Sequence, residues 1–107
     1  MSKVPVKIIL DDAMQKKYAA TGFAVNNMEQ IQSIVEAARI CRSPLIIMIS
    51  AKSLKYSRYI PYLIDAAIKE NPDIPIAMHL DHGVSFKQCR DAIDFGFSSV
   101  MLDGTFD

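Results

Sequence analysis

Pro44 to Ser50 reads PLIIMIS, an unbroken apolar run that stops at a hydroxyl. A strand on a half-solvated sheet alternates apolar and polar side chains. A continuous run of this length is expected where a strand is buried on both faces, as in a parallel sheet. Parallel neighbours cannot be joined by tight turns and need crossover connections, usually helices. The run therefore demands a chain that alternates strands with helices.

The rest of the sequence supplies that alternation. Pro5 to Lys17 reads as a helix, with Pro5 suited to its first turn and Ile8, Ile9, Ala13 and Met14 sharing much of one face. TGFAVN, Thr21 to Asn26, is a short strand. Asn27 can cap a helix from Met28 to Cys41, where Ile31, Ile34, Val35 and Ala38 follow helical spacing. After PLIIMIS comes a polar segment, AKSLKYS, and Ser57 is placed to cap a helix from Arg58 to Glu70. NPDIP breaks that helix, and IPIAMHLD forms the third strand. Ser85 can cap a helix carrying Phe86, Cys89 and Ile93 on one stripe, with Gly96 as its stop. SSVMLDG, Ser98 to Gly104, is the fourth strand. A helix followed by βαβαβαβ requires parallel strands joined by right-handed crossovers, so the expected fold class is α/β.

The 107 residues suit one small domain, and the hydrophobic half of them suffices for a core. Twelve basic and 12 acidic residues cancel, which leaves no electrostatic footprint for nucleic acid and no polybasic membrane patch. The apolar runs fall well short of the ~20 residues that span a bilayer. MSKVPVK lacks the pattern of a signal peptide, so a cytoplasmic location is expected. Cys41 and Cys89 form no CxxC pair and are expected to be free, semi-buried thiols on helices.

In a parallel sheet all C-terminal strand ends share one edge, where α/β folds place their sites. Here the strands end in Asn26, Ser50, Asp81 with His82, and Asp103. Each residue has two readings. His82 could ligate a metal through neutral imidazole, or serve as a hydrogen-bonded structural residue. Asp81 could carry a proton, or cap the helix near Ser85. Asp103 stands before glycine, a common turn pair. Ser50 could contact a phosphate or end a strand, and Asn26 could orient a substrate or cap the next helix. His79 lies two residues before Asp81, on the same side of the strand, and suits a supporting role. HExxH, Walker A, GxGxxG and GxSxG patterns are absent. With only two histidines, one copy of the chain cannot assemble a three-histidine metal site.

GFAVNNMEQIQSIVEAA, SPLIIMIS and DIPIAMHLDHGVSFKQCRDAIDFGFSSVMLDG together resemble the N-terminal part of class II fructose-bisphosphate aldolases. The closely related tagatose-bisphosphate aldolases share these motifs. The resemblance implies a metal-dependent (β/α)8 TIM barrel that cleaves a ketose 1,6-bisphosphate reversibly to dihydroxyacetone phosphate and glyceraldehyde 3-phosphate, in glycolysis and gluconeogenesis. By that resemblance His82 matches a ligand of the catalytic zinc. Asp81 matches the acid/base residue at the C4 hydroxyl, and Asp103 a carboxylate associated with a second metal position; a second metal or a monovalent cation would accompany the zinc. Ser50 and Asn26 match substrate contacts, Ser50 near the aldehyde-phosphate half. AKSLKYS departs from the glycine-containing loop of many members. Residues 1–107 would then be the N-terminal half of the barrel, four strands where a full barrel takes ~250 residues. The family's other two zinc histidines and its glycine-rich phosphate loops would lie outside it. Two expectations follow. The chain alone should lack aldolase activity, and its unpaired sheet edges should favour a homo-oligomer, with a catalytically inactive, self-associating half-barrel as the alternative to the enzyme.

Overall fold

The computed structural model describes residues 3–105. Its element order is α1 (Val6–Lys16), β1 (Gly22–Ala24), α2 (Met28–Cys41), β2 (Leu45–Ser50), α3 (Ala51–Tyr56), α4 (Ile60–Glu70), β3 (Ile76–Gly83), α5 (Phe86–Phe95) and β4 (Ser99–Leu102). The four strands form one sheet in the order β1-β2-β3-β4, and every pairing is parallel. Sequential order with right-handed crossovers puts all the connecting helices on the same face. A doubly wound sheet would reverse order and place helices on both. The arrangement is that of the first half of a (β/α)8 barrel, as expected.

Strand β2 shows how the two faces differ. Leu45, Ile47 and Ile49 are buried, while Ile46, Met48 and Ser50 between them are only half-buried. The expectation of burial on both faces is thus met on one face only. The buried side packs against Ile31 and Val35 of α2, Ile60 and Ile64 of α4, and Cys89 and Ala92 of α5. The other side carries the row Ala24, Met48, His79 and Ser99 in register across all four strands. In a closed barrel that row points inward, where opposing strands would complete its burial.

Local chemistry sets the helix ends. Asn27 Oδ1 accepts from Gln30 N–H at 2.8 Å, and Gln30 Oε1 accepts from Asn26 N–H at 2.6 Å. Ser85 and Gln88 repeat this reciprocal cap at α5, with Val84 N–H as the second donor. Gly96 ends α5 at φ 119°, a left-handed turn open to glycine, and its N–H reaches the Ala92 and Ile93 carbonyls.

Several details differ from the expectations. AKSLKY, read as a polar segment, is the short helix α3, because Ser50 caps it by accepting from Ser53 N–H. Ser57 therefore closes α3 instead of opening α4, which begins after Tyr59 with Pro61 in its first turn. In α1 the buried residues are Ile9 and Ala13, whereas Ile8 and Met14 are exposed. In α5 the buried stripe is Cys89 with Ala92, and Phe86 and Ile93 face outward. Both cysteines are free, but Cys41 is exposed and Cys89 buried. β1 is only three residues long and ends before Asn26, and β4 ends before Asp103. Phe106 and Asp107, expected in the loop after β4, lie outside the described residues. Among the described residues no helix is long and apolar enough to cross a membrane.

Candidate functional site at the strand ends

Strand β3 carries the central residues. Its ladder with β4 runs from His79↔Ser99 to Leu80↔Val100 and then jumps to Gly83↔Leu102. The irregularity falls on Asp81 and His82. His82 adopts φ 53°, a left-handed conformation that is costly for a residue with a Cβ. Gly83 follows because there is no room for more: a Cβ there would lie 2.8 Å from Cys89 Sγ and 2.9 Å from the Met101 carbonyl oxygen.

The kink brings His82 to the end of the neighbouring strand. His82 Nδ1 lies 2.8 Å from Asp103 Oδ2. A carboxylate only accepts, so the imidazole carries its proton on Nδ1 and leaves the Nε2 lone pair free. Asp103 is itself held. Its Oδ1 accepts from Thr105 N–H at 2.9 Å and from the Thr105 hydroxyl at 2.7 Å. These two bonds, and then the one from His82, pull its carboxyl down to about 2. The Asp103 hydrogen bond, followed by the charge of Asp81, raises the His82 imidazole above its ordinary value. His82 is 55% exposed at its side chain, whereas the Asp103 side chain is 12% exposed, so the carboxylate is a fixed support beneath an accessible ring.

Asp81 stands between the two histidines. Its Oδ2 lies 3.8 Å from His82 Nε2 and its Oδ1 lies 4.0 Å from His79 Nε2. The capping reading of Asp81 is not needed, since Ser85 and Gln88 satisfy the start of α5. His79 takes the supporting place foreseen for it: its Nδ1 hydrogen-bonds Ser99 Oγ at 2.6 Å, and burial lowers its imidazole below the ordinary value.

Ser50 and Asn26 form a second group on the same edge. Ser50 is the register partner of Asp81, which places the two groups on adjacent strands. Ser53, which the sequence did not single out, joins Ser50 to Asn26. Its N–H donates to Ser50 Oγ at 3.2 Å, and Asn26 Oδ1 accepts from its hydroxyl. The S-x-x-S spacing of Ser50 and Ser53 was the available signal, for it is the spacing of a helix cap. Thr105, two residues after Asp103, was likewise visible only as the spacing of an Asx turn.

Among the described residues no three His, Cys, Asp or Glu side chains converge as a metal-holding group. His82 Nε2 offers one donor, with the Asp81 carboxylate beside it. A cleft of about 630 Å³ lies elsewhere, between α4 and α5, and is lined by Arg58, Tyr59, Tyr62, Asp91 and Phe95 among others.

Parallel strands in sequential order, with acid, imidazole and hydroxyl groups at their C-terminal ends, have the architecture of part of a β/α barrel. Comparison with known proteins narrows this. The sequence profile of the family described as fructose-bisphosphate aldolase class-II matches residues 4–106. A fructose-bisphosphate aldolase from Giardia intestinalis is 48% identical over 99 residues, covering 91% of this chain and 31% of that protein. One from Xanthobacter flavus is 45% identical over 107 residues, covering 98% of this chain and 30% of that protein. The crystal structure of the YdjI aldolase from Escherichia coli K12 superposes with a TM-score of 0.88 at 26% identity, covering 98% of this chain and 42% of that one. The chain belongs to the class II fructose-bisphosphate aldolase family. It spans about 30% of the length of the curated relatives.

Proposed function

We propose that this chain provides the β1–β4 half of a class II aldolase barrel, acting in the reversible cleavage of a ketose 1,6-bisphosphate to dihydroxyacetone phosphate and glyceraldehyde 3-phosphate. The observation that carries this reading is the Asp81–His82–Asp103 arrangement. It sets an accessible imidazole nitrogen beside a carboxylate at the C-terminal edge of a half-barrel.

The donor chemistry fits a divalent metal, zinc in the family resemblance, in part. His82 Nε2 would hold it, Asp103 would keep the ring in the tautomer that makes this possible, and the remaining donors would come from outside these residues. When bound, such an ion supplies Lewis-acid stabilisation of the negative charge that builds on the ketose carbonyl oxygen. Asp81 takes the C4 hydroxyl proton in cleavage and returns it in condensation. Ser50 faces the aldehyde-phosphate half of the substrate, and Asn26 is a further substrate contact. Glycolysis and gluconeogenesis in the cytoplasm are the setting that the family membership favours. Asp103 as holder of a second metal or monovalent cation finds less support, because both its oxygens are already engaged by His82 and Thr105.

The test is a chimera in which this chain replaces the matching segment of the Giardia intestinalis relative. Dihydroxyacetone phosphate formation from fructose 1,6-bisphosphate is expected, and Asp81→Ala is expected to lower it by roughly 10²-fold or more. A chimera that folds and is inactive, or an undiminished Asp81→Ala variant, overturns the reading.

A second reading has one observation in its favour. β1 and β4 each have one unpaired edge among the described residues, and every residue of β1 is exposed. A non-catalytic half-barrel that self-associates through these edges would bury them. Sedimentation equilibrium of the 107-residue chain separates a homo-oligomer from a monomer.

A further inference from the structure

Among the described residues, three that carry a Cβ adopt positive φ: Lys17, Arg42 and His82. Lys17 and Arg42 each follow a helix, where a left-handed residue lets its N–H close the last turn. His82 lies inside β3 and closes no helix, so neighbouring groups must hold its turn. Asp103 holds the side chain. The backbone is held through the residue that follows.

Gly83 reaches both partners of the His82–Asp103 bond. It is joined to His82 by the peptide link, and its carbonyl accepts from Asp103 N–H at 2.9 Å. A displaced Gly83 therefore disturbs both ends of that bond. Its open side is closed by three atoms. A Cβ there would lie 2.8 Å from Cys89 Sγ, 2.9 Å from the Met101 carbonyl oxygen and 3.1 Å from Leu80 Cδ2. Met101 and Leu80 belong to the same sheet as Gly83. Of the three, Cys89 alone comes from a helix. The chain leaves Gly83, caps α5 at Ser85, and brings Cys89 back in the first turn, where its N–H donates to the Ser85 carbonyl at 3.2 Å. The residue is buried, at 7% exposure. A buried thiol behaves as a small hydrophobe, and close packing leaves it little freedom to give way.

We propose that Cys89 is a positioning residue: its thiol seats Gly83 from the helix side and so holds His82 in the left-handed turn that brings the imidazole to Asp103. The proposal rests on the aldolase reading only for the use of His82 as a metal donor. It goes beyond that reading in naming the side chain of α5 that sets the backbone beneath the site.

The test is NMR of the full chain. A strong intraresidue Overhauser effect between the amide proton and Hα reports positive φ and is expected at His82 in the unaltered chain. Cys89→Ala removes the seat. The effect at His82 is expected to fall to that of the neighbouring strand residues, and the response of the His82 ring to added zinc to weaken about tenfold. Cys89→Ser, close to cysteine in size, is expected to keep both. Ala92→Gly loosens α5 at another buried position and is expected to leave the His82 turn as it is, which separates seating from stability. If Cys89→Ala does not fold, Cys89→Val decides, since its extra methyl presses on Gly83 and is expected to displace the His82 signals. A His82 turn indifferent to residue 89, one lost equally in Ala92→Gly, or one absent from the unaltered chain overturns the proposal. An inactive Asp81 chimera would leave these backbone signals untouched, so the two readings fail separately.

Discussion

His82 Nδ1 is 2.8 Å from Asp103 Oδ2, a hydrogen bond that ties the end of β3 to the end of β4. It does two things at once. It fixes which nitrogen of His82 is free, and it stabilises a histidine whose backbone, at φ 53°, would otherwise resist its place. Asp103 can do this because Thr105 holds its other oxygen.

Asp103→Asn replaces the carboxylate whose hydrogen bond is the main cause of the raised His82 imidazole with a neutral, weaker acceptor. The imidazole should then titrate closer to its ordinary value of 6.5 than it does in the unaltered chain. Zinc binding at His82 should weaken by roughly 10- to 100-fold, as when a carboxylate supporting a ligand histidine is lost. A proton NMR titration of the His82 ring, followed by a zinc titration, checks both.

The pH dependence follows from the two shifts. His82 has a raised folded-state value, so its contribution to stability is full below about 6.5 and is lost as pH rises through the raised value. Asp103 has a depressed value, so its contribution is present above 3.8 and is lost as pH falls through about 2. The pair contributes fully between those limits. Metal binding runs the other way, because the Nε2 proton competes with it: affinity should fall as pH drops through the raised His82 value. Urea unfolding across this range with Asp103→Asn as reference, and zinc binding over the same range, check the two signs.

Gly83→Ala should destabilise the fold. The new Cβ would meet Cys89 Sγ at 2.8 Å and the Met101 backbone at 2.9 Å, and the backbone contact cannot rotate away. Overpacking of this kind costs about 1–3 kcal/mol, measurable by urea denaturation.

The two thiols should differ in reactivity. Cys41 is exposed and Cys89 is buried under Gly83. One equivalent of a thiol reagent such as dithionitrobenzoate should react in the folded chain, at Cys41, and the second only after unfolding.

The alternation of apolar runs and helical stripes made the α/β class and the strand-end site legible in advance. PLIIMIS and IPIAMHLD needed no tertiary information to be read as strands, and a parallel sheet then puts Asp81, His82 and Asp103 at one edge. Helix α3 was not legible, because AKSLKYS has no apolar period and its start depends on a cap at Ser50 that ends the preceding strand. The outward placement of Ile8, Met14, Phe86 and Ile93 was hidden for another reason. Helical spacing identifies a stripe, but tertiary packing decides which part of it is covered. The bond between His82 and Asp103 was out of reach as well, since it requires the irregular ladder between Leu80 and Gly83 and the left-handed turn at His82.

We propose that His82 Nε2 is a metal donor held ready by Asp103. The most direct test is a long-range ¹H–¹⁵N spectrum of the histidine rings, recorded above the His82 titration, without and with zinc. His82 is expected to carry its proton on Nδ1, and zinc is expected to move the Nε2 resonance. A His82 ring protonated on Nε2 and indifferent to zinc would contradict it.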